Sequence, residues 1–139
     1  MIEMVGAEAM VDRLLSATNA HNVDGVVACF AEDYENETPI HPARSFRGRE
    51  QVRSNWEQIF AFVSDLHAEV RASAIDQETA WTEWEMTGTR RDGTTHHMRG
   101  VVVFRVRDGV AHRARFFLEP VDEGAGTVND AVREQVVRG

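Results

Sequence analysis

The chain has 139 residues, of which 42% are hydrophobic and 27% charged, and this composition is typical of one globular domain with a substantial buried core. Its 23 acidic residues against 15 basic ones give a net charge of −8. That balance argues against nucleic acid or an anionic membrane as a partner, because both attract clustered Lys and Arg.

The sequence contains no run near the roughly 18 apolar residues of a membrane span. Its first residues also lack the basic and apolar regions of a secretory signal. The single cysteine, Cys29, cannot form an internal disulfide, and its apolar neighbours favour a buried small side chain over a nucleophile. We therefore expect a cytoplasmic protein.

The first half of the chain predicts three helices. Residues 5–19 place apolar side chains at spacings of three and four, and Asn22 is a plausible N-cap for a short second helix. A polar stretch with two prolines follows and leaves room for one short strand at 34–38. Gly48 then precedes a third helix with a helical apolar period.

The second half predicts an antiparallel sheet. The alternating segments are 66–75, 79–89, 95–106 and 110–120. Asp92-Gly93 and Asp108-Gly109 separate the last three segments, and Asp-Gly between alternating runs is a strong hairpin signal. We predict one domain at 1–121 and a polar tail at 122–139 with a short helix around 130–137.

The ordered set of motifs "FAEDY", "FRGREQV", "WTEWEMTGTRRDG", "MRGVVVFRVRDG" and "ARFFLEPV" resembles the nuclear transport factor 2-like superfamily, and within it the SnoaL-like group. The resemblance implies an α+β cone, in which a curved antiparallel sheet wraps three N-terminal helices around a pocket, commonly in a homodimer. Its members include ketosteroid isomerase, polyketide cyclases, limonene epoxide hydrolase and proteins without known activity. Fold alone therefore does not set the function.

The chain lacks the catalytic acidic residues that the resemblance implies. The resemblance implies a general-base Asp before the proline of the first strand, where this chain has Thr38. It implies a second acid at the position of Val102, and the Asp of SnoaL-like cyclases corresponds to about Phe116. A steroid-isomerase or cyclase mechanism is therefore not expected to transfer directly.

Counting outward from both Asp-Gly turns as two-residue loops predicts the sheet register. Directly opposed residues share a face, and on this count Glu83 and Arg115 lie on either side of Val102. The face that holds them mixes aromatic and charged side chains, as binding pockets do, whereas the opposite face suits a core or dimer interface. A three-residue loop with a glycine bulge at either turn would shift the register by one. The predicted pocket face consists of Trp81, Glu83, Glu85, Met98, Val102, Phe104, Arg113, Arg115, Phe117 and Glu119.

The charges on that face suggest acid–base chemistry. Two carboxylates two residues apart repel when desolvated, which raises one pKa and makes Glu83 or Glu85 the predicted acid or base. Arg115 would stabilise developing negative charge. The alternative is that Glu83 and Arg115 form only a structural ion pair.

Further predicted substrate-binding residues lie nearer the N-terminus. They are Tyr34, Glu37, His41, Trp56 and Phe60. Glu37 or His41 could exchange protons with a substrate, although a surface location is the alternative for both. Core packing is the alternative for Trp56.

No metal site or cofactor motif is predicted. His96 and His97 are adjacent, so a strand directs them to opposite faces, and there is no phosphate loop or nucleophile motif. Our first hypothesis is a homodimer, formed through the outer sheet face, that binds a small, largely apolar molecule and performs cofactor-free isomerisation, cyclisation or hydrolysis. The second is a non-catalytic ligand-binding or protein-interaction module.

Overall fold

The computed structural model describes the backbone of residues 2–137 and the side chains of residues 6–137. The helices are α1 (Ile2–Asn19), α2 (Val23–Val27), α3 (Arg49–Phe62) and α4 (Val128–Val136). The strands are β1 (Phe30–Glu37), β2 (Phe46–Arg47), β3 (His67–Asp76), β4 (Thr79–Thr89), β5 (Thr95–Arg107) and β6 (Val110–Pro120). The predicted α+β fold, with three N-terminal helices and a curved open sheet, is confirmed.

Local sequence signals explain the helices. Asn22 caps α2, because its side-chain oxygen accepts a hydrogen bond from the Gly25 N–H (3.1 Å). In α1 the apolar side chains at three- and four-residue spacing, including Met10 and Leu14, are buried against the sheet. No helix in residues 2–137 is long and apolar enough to cross a membrane.

The six strands form one mixed sheet in the order β2-β1-β6-β5-β4-β3. Four of its five pairs are antiparallel, but β1 pairs with β6 in parallel. The prediction of a wholly antiparallel sheet is therefore wrong for the β1–β6 pair. Because α3 and four strands intervene between β1 and β6, the chain can return to β1 in the parallel direction.

The two sides of the sheet differ in what covers them. We call the side that packs against α1 and α3 the inner face, and the opposite side the outer face. Inner-face residues include Thr82, Trp84, Met86, Met98, Val102, Phe104, Ala114 and Phe116. Outer-face residues include Trp81, Glu83, Glu85, Arg99, Val101, Val103, Arg113, Arg115 and Phe117.

The β4–β5 turn is one residue longer than predicted. Thr89 pairs with Thr95, and three residues, 91–93, form the loop, with Gly93 at φ 88°. Asp92 stabilises this longer loop, since its Oδ1 accepts hydrogen bonds from the N–H (3.0 Å) and hydroxyl (2.6 Å) of Thr94. The two-residue turn is therefore wrong here, and Glu83 lies opposite Val101.

The β5–β6 turn has the predicted two residues, yet the register beyond it also shifts. Asp108 and Gly109 both have positive φ, as a tight hairpin turn requires. Val106 pairs with Ala111 but Arg105 pairs with Arg113, so His112 is an extra residue that forms a bulge. The prediction that Glu83 and Arg115 flank Val102 is wrong. The longer β4–β5 loop places Glu83 opposite Val101, and the bulge at His112 places Arg115 opposite Val103.

Candidate functional site

A cavity of about 300 Å³ lies between α3 and the inner face; we call it the inner cavity. Its wall is mainly apolar, formed by α3 on one side and by β1, β5 and β6 on the other. Such composition is typical of a site for a small molecule. The lining residues include Tyr34, Asn36, Thr38, Arg44, Phe46, Asn55, Trp56, Ile59, Met86, His96, Met98, Phe116, Leu118 and Glu119.

Alternate residues of β1 and the residue after it form a hydrogen-bonded row along the cavity. The Tyr34 hydroxyl donates to Asn36 Oδ1 (2.8 Å), and Asn36 Nδ2 donates to Thr38 Oγ1 (3.3 Å). All three side chains are buried, and burial raises the pKa of Tyr34 far above its usual range. The phenol therefore keeps its proton and acts as a donor.

Among the described residues that line the cavity, His96 is the one histidine. Partial burial lowers its pKa, with Arg90 and His97 adding repulsion of positive charge. The imidazole is therefore neutral near pH 7 and able to accept a proton. Sequence reasoning weighed His96 only as a metal ligand; its position two residues before Met98, on the same face, was the signal that could have found it.

His41 and Glu119 meet at the cavity mouth. The His41 Nε2 lies 2.8 Å from Glu119 Oε1, and both side chains are partly exposed. These residues are 78 positions apart in the sequence, and the fold joins them into one acid–base pair. Sequence analysis named both residues but gave no reason for them to touch.

The outer face carries a second, larger depression of about 670 Å³, the outer groove. Trp81, Glu37, Arg113 and Arg115 line it, and the Arg115 guanidinium lies 5.8 Å from the centre of the Trp81 ring. This contact is a cation–π interaction at the edge of its range.

The two glutamates of β4 have partners on the outer face. Arg99 donates to Glu83 Oε2 (3.2 Å), and His97 Nε2 lies 2.7 Å from Glu85 Oε2. Arg71 adds a weaker contact to Glu85 at 3.6 Å. The hydrogen bond from His97 is the main reason that the pKa of Glu85 is lowered. Glu85 therefore lies in a contact that favours its ionised form, and Glu83 has a cationic partner.

The predicted site residues thus fall into three places. Tyr34, Trp56, Met98 and Glu119 line the inner cavity, with His41 beside Glu119. Glu37, Trp81, Glu83, Glu85, Arg113, Arg115 and Phe117 lie on or beside the outer face. Val102, Phe104 and Phe60 pack in or against the core, and Phe60 stacks on His21. The lining residues that sequence reasoning did not single out as ligand contacts include Asn36, Thr38, Arg44, Asn55 and His96.

Comparison with known proteins gives one family and many similar folds. A family model described as a SnoaL-like domain matches residues 11–113. No curated protein matches the sequence.

Solved structures from several bacteria share the fold. An LEH-like epoxide hydrolase from M. tuberculosis has a TM-score of 0.72 and 19% identity, covering 98% of this chain and 99% of that one. A protein with a ketosteroid isomerase-like fold from Catenulispora acidiphila, bound to trimethylamine, has a TM-score of 0.67 and 14% identity over 88% and 92% of the two chains. A SnoaL-like protein of unknown function from Burkholderia thailandensis has a TM-score of 0.63 and 21% identity over 85% and 96%. At these identities the similarity establishes a shared fold.

Proposed function

Because the chain belongs to the SnoaL-like domain family, we propose that its inner cavity binds a small, largely apolar molecule with one polar group. The observation that carries this proposal is the cavity itself. It has a volume suited to a small ligand, an apolar wall, and a few polar groups collected along β1 and at the mouth. The ligand would lie between Trp56 of α3 and Met98 of β5, with its polar group toward β1.

We propose cofactor-free acid–base chemistry as the reaction type, such as isomerisation, cyclisation or hydrolysis. His96 would act as the base, because its lowered pKa leaves it neutral at pH 7. The His41–Glu119 pair at the mouth would return the proton, since His41 Nε2 lies 2.8 Å from Glu119 Oε1 and Glu119 also lines the cavity. His96 and Glu119 line the same cavity, and His41 contacts Glu119.

The catalytic roles of Glu83, Glu85 and Arg115 stay a prediction. They would require a substrate in the outer groove or beside it, where all three side chains have solvent access and the two glutamates already have cationic partners. The inner cavity supports the proposal better, because a catalytic site gains from excluding water.

Binding can be tested without knowing the natural ligand. We expect 2-acetylnaphthalene, titrated into ¹⁵N-labelled protein, to shift the indole N–H signal of Trp56 and leave that of Trp81 in place. Trp56 lines the inner cavity, whereas Trp81 lines the outer groove. A shift confined to Trp81 would move the site to the outer face, and no shift at either indole would contradict the proposal.

The same ligand tests for acid–base catalysis. A base positioned in the cavity should accelerate exchange of the acetyl methyl protons with D₂O, and His96→Gln should slow this exchange at least tenfold. Glu69→Gln, an exposed change on β3, is the matched control and should leave the rate unchanged. Tight binding without exchange above the buffer rate would favour the non-catalytic binding module.

We also propose that the outer face forms a homodimer. Trp81 and Phe117 are 47% and 36% exposed there, beside the valines of β5. Arg113 and Arg115 of β6 lie on one side of β5, and Glu83 and Glu85 of β4 lie on the other side, so a two-fold axis along β5 brings these opposite charges together. Sedimentation of Trp81→Glu should show monomers while the α3 variant Phe62→Glu stays dimeric. A monomeric unmodified protein would contradict this interface.

A further inference from the structure

We infer that the inner cavity recognises a hydrogen-bond acceptor on its ligand, such as a carbonyl oxygen, through a donor at Thr38. This inference rests on the proposed binding of a ligand in the cavity. It adds the chemical class of the group that the ligand must present.

The first step is the orientation of Asn36. Tyr34 is 1% exposed, its phenol stays protonated, and its hydroxyl lies 2.8 Å from the Asn36 side chain. Among residues 6–137 this is the one hydrogen bond of the buried hydroxyl, which donates to Asn36 Oδ1, so the Asn36 oxygen faces Tyr34. The Asn36 amide group then faces Thr38 and can only donate to it.

The second step is the Thr38 hydroxyl. It accepts from Asn36 Nδ2 (3.3 Å), which uses an oxygen lone pair and leaves its own proton to be donated elsewhere. Among residues 6–137, the Thr38 hydroxyl donates no hydrogen bond. Thr38 is 8% exposed and lines the cavity, so the proton is available to a bound molecule.

The third step is the rigidity of this donor. The Thr38 N–H donates to Ser45 Oγ (3.0 Å), and its carbonyl accepts from the His41 N–H (3.0 Å). The backbone on both sides of the hydroxyl is thus held in place. A fixed neutral donor in an apolar wall favours a neutral acceptor over an apolar group of equal shape, because binding the latter leaves the donor unsatisfied.

Two ligands of nearly equal shape test this inference. 2-Acetylnaphthalene carries a carbonyl where 2-isopropenylnaphthalene carries a CH₂ group. We expect the unmodified protein to bind the ketone about threefold to tenfold more tightly, which corresponds to one net hydrogen bond. The dissociation constants would be measured from the Trp56 indole shift.

Three variants locate the source of the preference. Thr38→Val keeps the side-chain shape without the hydroxyl and should bind both ligands equally, whereas Thr38→Ser should retain the preference. Tyr34→Phe removes the first donor of the row, so Asn36 can turn its oxygen toward Thr38 and the preference should shrink. Circular dichroism and thermal unfolding confirm that each variant is folded.

The outcomes separate this inference from the proposed function. Binding of both ligands at the Trp56 site with equal affinity overturns the donor at Thr38 and leaves the cavity as a binding site. A ketone preference that persists in Thr38→Val also overturns it, and a full preference in Tyr34→Phe contradicts the hydrogen-bonded row as its cause. Binding of neither ligand overturns both proposals.

Discussion

The two faces of the sheet handle polar groups in different ways. On the inner face, Trp84 donates to the Thr82 hydroxyl (2.7 Å), which donates to the Val102 carbonyl (2.6 Å), and every group is neutral. On the outer face, Glu83 pairs with Arg99 and Glu85 pairs with His97, and these side chains are partly exposed to solvent. Neutral hydrogen bonds survive burial at low cost, whereas buried charges do not. The polarity of each face therefore follows its access to water.

This difference explains how β4 can alternate tryptophan and glutamate residues without strain. Its even-numbered side chains, such as Trp84 and Met86, enter the core, while Glu83 and Glu85 remain in reach of water and cations. The inner face is thus suited to selective binding of a largely apolar molecule. The outer face is suited to contact with another charged surface.

The largest expected contrast between the faces is in stability. Phe104→Ala on the inner face should lower the free energy of unfolding by about 3–5 kcal/mol, because Phe104 is 1% exposed and its removal leaves a cavity. Phe117→Ala on the outer face should cost less than about 1 kcal/mol, since Phe117 is already 36% exposed. Urea unfolding of dilute protein, followed by tryptophan fluorescence, measures both. Equal losses would remove the distinction between a core face and an open face.

An intermediate effect is expected in the pH dependence of stability. His96 of the inner face and Glu85 of the outer face should affect stability in different pH ranges. The folded pKa of His96 is below its ordinary value of 6.5, so the unfolded chain takes up a proton at higher pH than the folded chain. Stability should therefore fall as the pH drops below about 6.5, and His96→Gln should reduce that fall. Thermal unfolding between pH 8 and pH 3 tests this expectation.

Glu85 provides the matched comparison for that experiment. Its pKa is lowered from 4.5, so its contribution is present above that value and is lost as the pH falls through the lower, folded pKa. Glu85→Gln should thus change the pH dependence only in the acid range below about 4.5. If both variants altered the same pH range, the two faces would not differ in the way that we describe.

The smallest effect is expected from the exposed ion pair Glu83–Arg99. Both side chains are 45% exposed, so Glu83→Gln should change the free energy of unfolding by no more than about 0.5 kcal/mol. About 0.5 M salt should erase that change, because screening weakens exposed pairs. A loss above roughly 2 kcal/mol, independent of salt, would show that Glu83 is buried more deeply than the structure indicates.

Much of the fold could be predicted because its signals are local. Helical spacing, the Asn22 cap and the two Asp-Gly turns all act within a few residues, and the structure contains three N-terminal helices and the four long strands. The parallel β1–β6 pair could not be predicted this way, because it joins segments about 80 residues apart. Strand β1 also begins earlier than predicted, at Phe30.

The candidate site was harder to predict because it depends on register. A single additional loop residue, stabilised by Asp92 and Thr94, and one bulge at His112 decide which face each β5 side chain occupies. Both features depend on hydrogen bonds rather than on apolar periodicity. The row formed by Tyr34, Asn36 and Thr38 has the spacing of two that a strand requires, but each residue alone is unremarkable in a polar stretch.

The three-residue loop at 91–93 sets a parity for the sheet, because side chains alternate with a period of two. Moving the turn by one residue, so that only residues 92 and 93 form the loop and Arg91 pairs with Thr94, would make β5 exchange faces relative to β4. Val102 and Phe104 would then lie on the outer face, and Arg99 and Arg105 would point to the core. The two hydrogen bonds from Thr94 to Asp92 thus help to decide which half of β5 side chains is buried.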